Sequence, residues 1–292
     1  MTIDAEDPDG DFDRARARAR GRRRVMVLVL RVALAVVIVG AWELGTQLGC
    51  TGTDPGTCVI DKFFFGQPSG IWQQLTIWVA NGTAQGSLWE QILVTLEETV
   101  LGFIIGVLLG VFFGVLLGRN ALLADIAGPY IRALNAMPRV VLGSIFIIAL
   151  GFDIWSKVAL AVVLVFFVVF FNAFQGVREV DRDLLANAAI LGANPRQQFR
   201  HVILPSALSW ITASLHTSLG FALVGAIVGE YLGAKKGIGL MIATAQGTFN
   251  ANGVYAAMLI LAILAVVAES LMTGLEGRLI RWRPNAATEM KF

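Results

Sequence analysis

The sequence predicts an all-α integral membrane protein with about six transmembrane helices. Three observations lead there. Of the 292 residues, 56% are hydrophobic and only 15% charged, against about 45–50% and about 25% in a soluble domain, and the mean hydropathy is +0.70. The apolar residues form continuous runs long enough to cross about 30 Å of hydrocarbon at about 1.5 Å per residue, with none of the strict alternation of a membrane barrel. The arginines cluster in every second connecting segment, as the positive-inside rule requires.

The chain opens on Asp4, Glu6, Asp7, Asp9, Asp11 and Asp13, followed by "RARARARGRRR". This block reads as a solvated, poorly ordered cytoplasmic tail, at 1–24, attracted to anionic headgroups. No folded soluble segment is left to present it to a nucleic acid. The first span is expected from Val25 to Leu48, too long for the apolar core of a signal peptide. An outer loop at 49–91 then carries Cys50 and Cys58, which either bridge in an oxidising compartment or remain free thiols. Within it Ile71, Trp72, Leu75, Trp78 and Val79 recur at helical spacing, the pattern of a helix lying in the membrane interface.

The second span, about Ile92 to Leu117, carries Gly102, Gly106, Gly110, Gly114 and Gly118, each four residues after the last. Such spacing puts a groove on one helix face, where a neighbouring backbone can approach closely. The third segment is interrupted by Pro129 and Pro138, tolerated at membrane depth only where protein or water satisfies the freed carbonyls. A fourth span follows at about Val158 to Gly176, a fifth at about Leu208 to Leu232 and a sixth at about Val254 to Leu275. Arg178, Arg182, Arg196, Arg200, Arg278, Arg281 and Arg283 then fall inside, and only Lys62, Lys157, Lys235 and Lys236 outside. The membrane domain is thus expected over 25–284, with a short cytoplasmic tail at 285–292.

No catalytic constellation is present. His201 and His216 are the only histidines, no metal-ligand spacing occurs, and no glycine-rich loop cradles phosphate. Energy for active transport would have to come from a partner or an ion gradient. The informative stretch is a polar loop at 179–205, between the fourth and fifth spans. Gly192 suits a helix C-terminus, Asn194 the cap of a following helix and Pro195 its first position, giving a helix, a turn and a second helix stopping before Pro205. The small residues Ala186, Ala188 and Ala189 invite another surface to dock.

The order Ala186, Ala188, Gly192, Val202, Leu204 and Pro205 resembles the "EAA" loop of binding-protein-dependent ABC importer permeases. "LGFIIGVLLGVFFGVLLG", "IRALNAMP", "GFALVGAIVGEYLGAKKGIGLMI" and "LEGRLIRWRP" are similar to the branch importing nitrate, taurine and aliphatic sulfonates, and the likeness covers Pro68 to Pro284. It implies the type I ABC importer permease fold, with the polar loop as a coupling helix that inserts into a cytoplasmic ATPase subunit. The docking positions it implies are Ala186, Asn187, Ala188, Gly192, Ala193, Asn194, Arg196, Arg200, Val202, Leu204 and Pro205. Ala186 stands where the family often has Glu, and Asn187 where it has the first Ala, so docking must do without that carboxylate. Also implied are a second permease copy, two ATPase subunits that bind the ATP and Mg, an extracytoplasmic binding protein, and an inner-membrane location with both termini cytoplasmic. No cofactor or metal is expected in this chain itself.

Polar residues inside spans face partners or a pathway. The candidates are Asn135, Pro138, Arg139 and Ser144 in the third segment, Asn172 in the fourth, and Ser214, His216 and Ser218 in the fifth. Arg139 either pairs with an internal carboxylate such as Glu97, Glu98 or Glu230, or snorkels, or attracts an anionic or zwitterionic solute. His216 reads more readily as a packed, hydrogen-bonded residue than as a ligand. The rival to an ATP-driven importer is an ion-coupled secondary transporter, which would need inverted repeats or paired intramembrane carboxylates.

Overall fold

The computed structural model describes residues 8–48 and 61–279. The helices, in order, are α1 (Pro8–Leu48), α2 (Lys62–Phe65), α3 (Pro68–Asn81), α4 (Leu88–Arg119), α5 (Ala121–Ala136), α6 (Arg139–Leu150), α7 (Ile154–Arg178), α8 (Arg182–Ile190), α9 (Pro195–Gln198), α10 (Leu204–Leu232), α11 (Ile238–Gly247) and α12 (Ala251–Leu279). No strand occurs among the described residues, where an isolated bridge joins Thr83 and Gly86. The chain forms two units, one ending at Gln73 and one starting at Gln74.

In the first unit α1 begins at Pro8, so residues 8–24 of the charged segment are helical where a disordered tail was expected. Alternating Ala and Arg are both good helix formers, and the propensity continues without a break into the apolar run. The apolar span of α1 is Val25–Gln47, and none of its most hydrophobic stretch is buried within the chain. Glu43 accepts hydrogen bonds from the Ser69 N–H at 3.0 Å and the Ser69 hydroxyl at 2.9 Å. Cys50 and Cys58 lie outside the described residues.

The second unit is organised around α7. Of the most hydrophobic stretch of this helix 56% is buried, against 28% for α4 and 17% for α12. The glycine repeat of α4 explains why. A Cβ added to Gly102 would lie 2.4 Å from the Cβ of Ala161, one on Gly106 2.7 Å from that of Val165, and one on Gly110 2.8 Å from that of Val169. Gly114 and Gly118 face Ala173 and Val177 in the same way, at 2.7 and 2.9 Å. Every glycine therefore removes an atom that the neighbouring helix occupies. The partners advance together along both helices, so α4 and α7 run parallel.

Two parallel helices joined in sequence require the chain to cross back between them. That crossing is made by α5 and α6, an apolar pair bent by 92°. The bend falls at Met137 and Pro138, where Pro138 is the N-terminal cap of α6. Pro129, also expected to interrupt the span, sits inside α5 without ending it. The carbonyl it deprives of a donor belongs to Asp125, in the second turn of α5. With this bent crossing the apolar helices make up to six spans.

On its other side α7 packs antiparallel to α10, again through glycine. A Cβ on Gly225 would lie 2.5 Å from the Cα of Ala161, one on Gly229 3.1 Å from the Cα of Lys157, and one on Gly176 2.9 Å from the Cβ of Trp210. Ala173, Val177, Ala207 and Ile211 bury one another at the lower crossing, joined by Val111, Val115 and Ile203. Gly110→Leu should therefore wedge α4 from α7 and destabilise the unit by about 1–3 kcal/mol or more. Thermal unfolding of the detergent-solubilised protein measures this, with Gly274→Leu, whose surroundings are open, unchanged.

Candidate functional site

The polar loop leaves α7 at Arg178 and returns to the bundle through α10. Asp181 opens α8 by accepting the Asp183 N–H at 2.8 Å. At the other end Gly192 takes φ +81, its N–H reaching the Ala189 carbonyl while the Ala193 N–H reaches that of Ala188, both at 3.0 Å. This is a Schellman closure, which wants a residue without a Cβ at Gly192. Two residues on, Asn194 and Gln197 form a reciprocal capping box: the Asn194 Oδ1 accepts the Gln197 N–H at 2.9 Å, and the Gln197 Oε1 accepts the Asn194 N–H at 2.8 Å. Pro195 occupies the first turn of α9, where a missing N–H costs nothing.

The second helix does not stop before Pro205, as the sequence suggested. Residues Phe199–Ile203 form one π-helical turn that leads straight into α10, with Pro205 in the first turn of the latter. The wider turn absorbs the hydrogen bond that proline cannot make, so helix direction is kept. Arg119 at the end of α4 places its guanidinium 4.2 Å from the centre of the Phe199 ring, holding this turn to the bundle. The base is rigid too, because Gly176 lets α7 and α10 touch at Trp210 and Ala207.

At the tip, Ile190 is 82% and Leu191 86% exposed. These two aliphatics were not singled out from the sequence, although large apolar residues beside the Gly192 turn of a polar loop were a readable signal. Ala186, Asn187, Gly192, Asn194, Arg196, Arg200 and Pro205 are exposed as well. Ala188, Ala193, Val202 and Leu204 are half-buried and form the inner side of the loop. The arrangement is a stiff hairpin of helices with an apolar tip and arginines on its returning limb.

The membrane candidates do not form one cluster. Half-buried Arg139 has its guanidinium 5.7 Å from the centre of the Phe221 ring. Among the described residues it has no carboxylate at ion-pair distance, so of the alternatives read from the sequence the pairing with Glu97, Glu98 or Glu230 is not made. Asn135 is half-buried near the end of α5, and Pro138 and Ser144 are exposed. Asn172 donates its amide to the Val168 carbonyl at 2.8 Å. Ser214 and Ser218 are buried, and their hydroxyls donate to the Ile211 and Ser214 carbonyls at 2.6 and 2.7 Å, so neither is free to meet a solute. His216 is held from both sides, Nδ1 at 2.7 Å from Glu269 and Nε2 at 2.5 Å from Glu276. That ring joins α10 to α12 as a packed residue.

A cleft of about 310 Å³ between α4, α5 and α7 brings together residues the sequence had not marked as a site. Its lining includes Asp125, Arg132 and Arg178 above the aromatic rings of Phe170, Phe171 and Phe174. Arg178 lies 5.3 Å from the centre of the Phe174 ring. Among the described residues, no group of three or more His, Cys, Asp or Glu side chains is arranged to hold a metal.

Comparison with known proteins agrees with this architecture. Residues 106–281 match the family of binding-protein-dependent transport system inner membrane components. A putative aliphatic sulfonates transport permease protein of Bacillus subtilis (strain 168) is 34% identical over 68% of this chain and 72% of its own length. A riboflavin transport system permease protein of Chloroflexus aurantiacus is 34% identical over 73% of this chain and 76% of its own. Among solved structures, an amino acid ABC transporter chain matches at TM-score 0.54 with 20% identity, over 64% of this chain and 91% of that one. The inward-facing MetNI methionine ABC transporter matches at 0.52 with 21% identity, over 66% and 93%. With its parallel glycine seam, bent third crossing and capped polar loop, the chain belongs to the family of binding-protein-dependent transport system inner membrane components.

Proposed function

We propose that this chain is the membrane subunit of an ATP-driven importer, working as a homodimer with two cytoplasmic ATPase subunits and an extracytoplasmic binding protein. The chain contributes no hydrolytic chemistry of its own; the ATP and Mg are bound by the ATPase. Both termini and the loop at 179–205 lie on the cytoplasmic face of the inner membrane. The observation that carries the proposal is the apolar tip at Ile190 and Leu191, raised on a capped helical hairpin whose base is locked between α7 and α10.

Such a tip fits a cleft on a partner. Burying two large aliphatics contributes about 1.5–3 kcal/mol each, and Arg196 and Arg200 supply the polar rim. Docking in this chain rests on shape, since Ala186 offers no carboxylate. When the ATPase subunits close on ATP, the hairpin moves with them, and α7 and α10 follow as one body because their backbones touch at Gly176. Alternating access then follows from shifting this body against the bent α5–α6 crossing.

The transported solute is small and anionic or zwitterionic. Arg132 and Arg178 outnumber Asp125 in the cleft, and Arg139 faces an aromatic ring and no carboxylate; this excess of positive charge supports the choice. The Bacillus subtilis relative is named for aliphatic sulfonates, which are such solutes, whereas the riboflavin relative does not narrow the choice.

Replacing Ile190 and Leu191 together by Glu should leave insertion intact and weaken ATPase docking at least about a hundredfold. Co-purification of the ATPase and substrate-stimulated ATP hydrolysis report this; retained stimulation would remove the docking role. Asn194→Ala, which breaks the capping box, should cost about 1 kcal/mol and lower coupling more mildly. Arg139→Gln, with surface expression matched, should reduce uptake of an anionic solute several-fold. Uptake that survives ATP depletion under a maintained ion gradient would favour the ion-coupled transporter instead.

A further inference from the structure

At the end of the bundle that carries the polar loop, two arginines from different helices reach one cleft. It is the space of about 310 Å³ between α4, α5 and α7, at the lower end of the sizes ligand pockets take. Arg178 is the last residue of α7, just before the Asp181 cap of the hairpin. Arg132 lies further along α5, but its side chain runs back over Gly128: Nη2 stands 3.8 Å from where a Cβ of that glycine would be. Helical side chains lean toward the N-terminus of their own helix, and for α5 that is the end at which Arg178 lies.

The floor of the cleft is aromatic. Phe170 is 3% exposed and stacks on Phe174 at 5.9 Å between ring centres. The Arg178 guanidinium, 5.3 Å from the centre of the Phe174 ring, is held over this floor. Among the described residues neither Arg132 nor Arg178 has a carboxylate at ion-pair distance. Glu179, next to Arg178 in sequence, accepts a hydrogen bond from the Gln175 amide at 2.5 Å. Arg119, at the end of α4, is committed to the Phe199 ring. Asp125, in the second turn of α5, adds one negative charge to the lining.

This set of groups selects a ligand. One guanidinium fork satisfies a carboxylate with two parallel bonds. Two forks from different helices call for a head with several acceptor oxygens, as sulfonates and phosphates have. Two arginines against one aspartate leave an excess of one positive charge. A head with a single negative charge matches it, which means a sulfonate or a phosphodiester. Phe170 and Phe174 then offer their rings to whatever apolar body the head carries.

We propose that the cleft binds a singly charged sulfonate or phosphodiester head between Arg132 and Arg178, with the apolar body of the ligand on the phenylalanine floor. The occupant ties α5, half of the bent crossing, to α7, from which the hairpin leaves. Such a head has two sources: an organic anion in solution, or a phospholipid headgroup at the membrane surface. The solution source rests on the reading of the solute as an anion; the lipid source does not.

Thermal unfolding of the full-length protein in phosphatidylcholine nanodiscs, titrated with hexanesulfonate, tests the site. The anion should raise the melting temperature and saturate. Methanesulfonate should bind at least about tenfold more weakly, the factor that about two buried methylenes account for. Arg132→Gln and Arg178→Gln should each weaken hexanesulfonate binding at least about tenfold. Asp125→Asn should tighten it by relieving like-charge repulsion, and Lys235→Gln, at the opposite end of the bundle, should leave it unchanged. The three lining side chains are exposed, so these variants keep the fold, and their melting temperatures without anion check this. Phosphatidylglycerol nanodiscs separate the sources. If headgroups fill the cleft, hexanesulfonate binding weakens more in the unsubstituted protein than in Arg132→Gln; an equal loss from surface charge assigns the site to dissolved anions, and either result supports it. No shift in phosphatidylcholine, binding that survives both arginine substitutions, or methanesulfonate binding as tightly as hexanesulfonate would each overturn the proposal. The permease is measured without ATPase or binding protein, so this failure is distinct from a failure of docking or of uptake.

Discussion

The structure depends on close approach of backbones at glycine. Inside lipid no water is released when helices meet, so association rests on dispersion and on how near the main chains come. Five glycines on α4 and three more on α7 and α10 remove the atoms that would hold these helices apart. The result is a three-helix slab with α7 at its centre. To it attach the bent α5–α6 crossing, the hairpin at 179–205, α11 and α12.

The slab anchors the polar loop. Under the docking role proposed for it, a tip on a flexible loop would move without moving the membrane helices. Here caps at Asp181, Gly192 and Asn194 stiffen the hairpin, a π turn keeps its second limb continuous with α10, and Gly176 welds its base. Motion at Leu191 is therefore motion of α7 and α10. At the far end, Gln91, Thr95 and Glu230 accept the Gly237, Ile238 and Gly239 N–H groups and hold the start of α11 to α4 and α10.

Much of this was legible in the residues. The glycine repeat announced a seam, and its period named the face. Gly192, Asn194 and Pro195 each announced a cap by local chemistry that acts within a few residues. What failed were features whose cause lies elsewhere in space. Pro129 and Pro138 look alike in sequence, yet only Pro138 falls where the chain turns, while Pro129 is absorbed within α5. Pro205 looked like a stop and became part of a continuous helix, because an extra residue in the preceding turn is a collective adjustment. Ser214 and Ser218 looked like lining and instead satisfy their own helix. His216 gave no hint of which carboxylates would face it, since Glu269 and Glu276 come from α12, and Arg139 found an aromatic ring where a carboxylate was one of the alternatives.

The sequence by itself determined the class of protein, the number of crossings and the caps of the polar loop, because hydropathy, charge asymmetry and capping act along the chain over at most a turn or a span. Only the tertiary structure decided that the glycine face of α4 meets α7, in register from Gly102 on Ala161 to Gly118 on Val177. It also decided that the first N–H groups of α11 meet Gln91, Thr95 and Glu230, and that Ile190 and Leu191 stand clear of the bundle. Those outcomes depend on which surfaces meet, and a run of residues carries its own period but not the identity of the neighbour it will face.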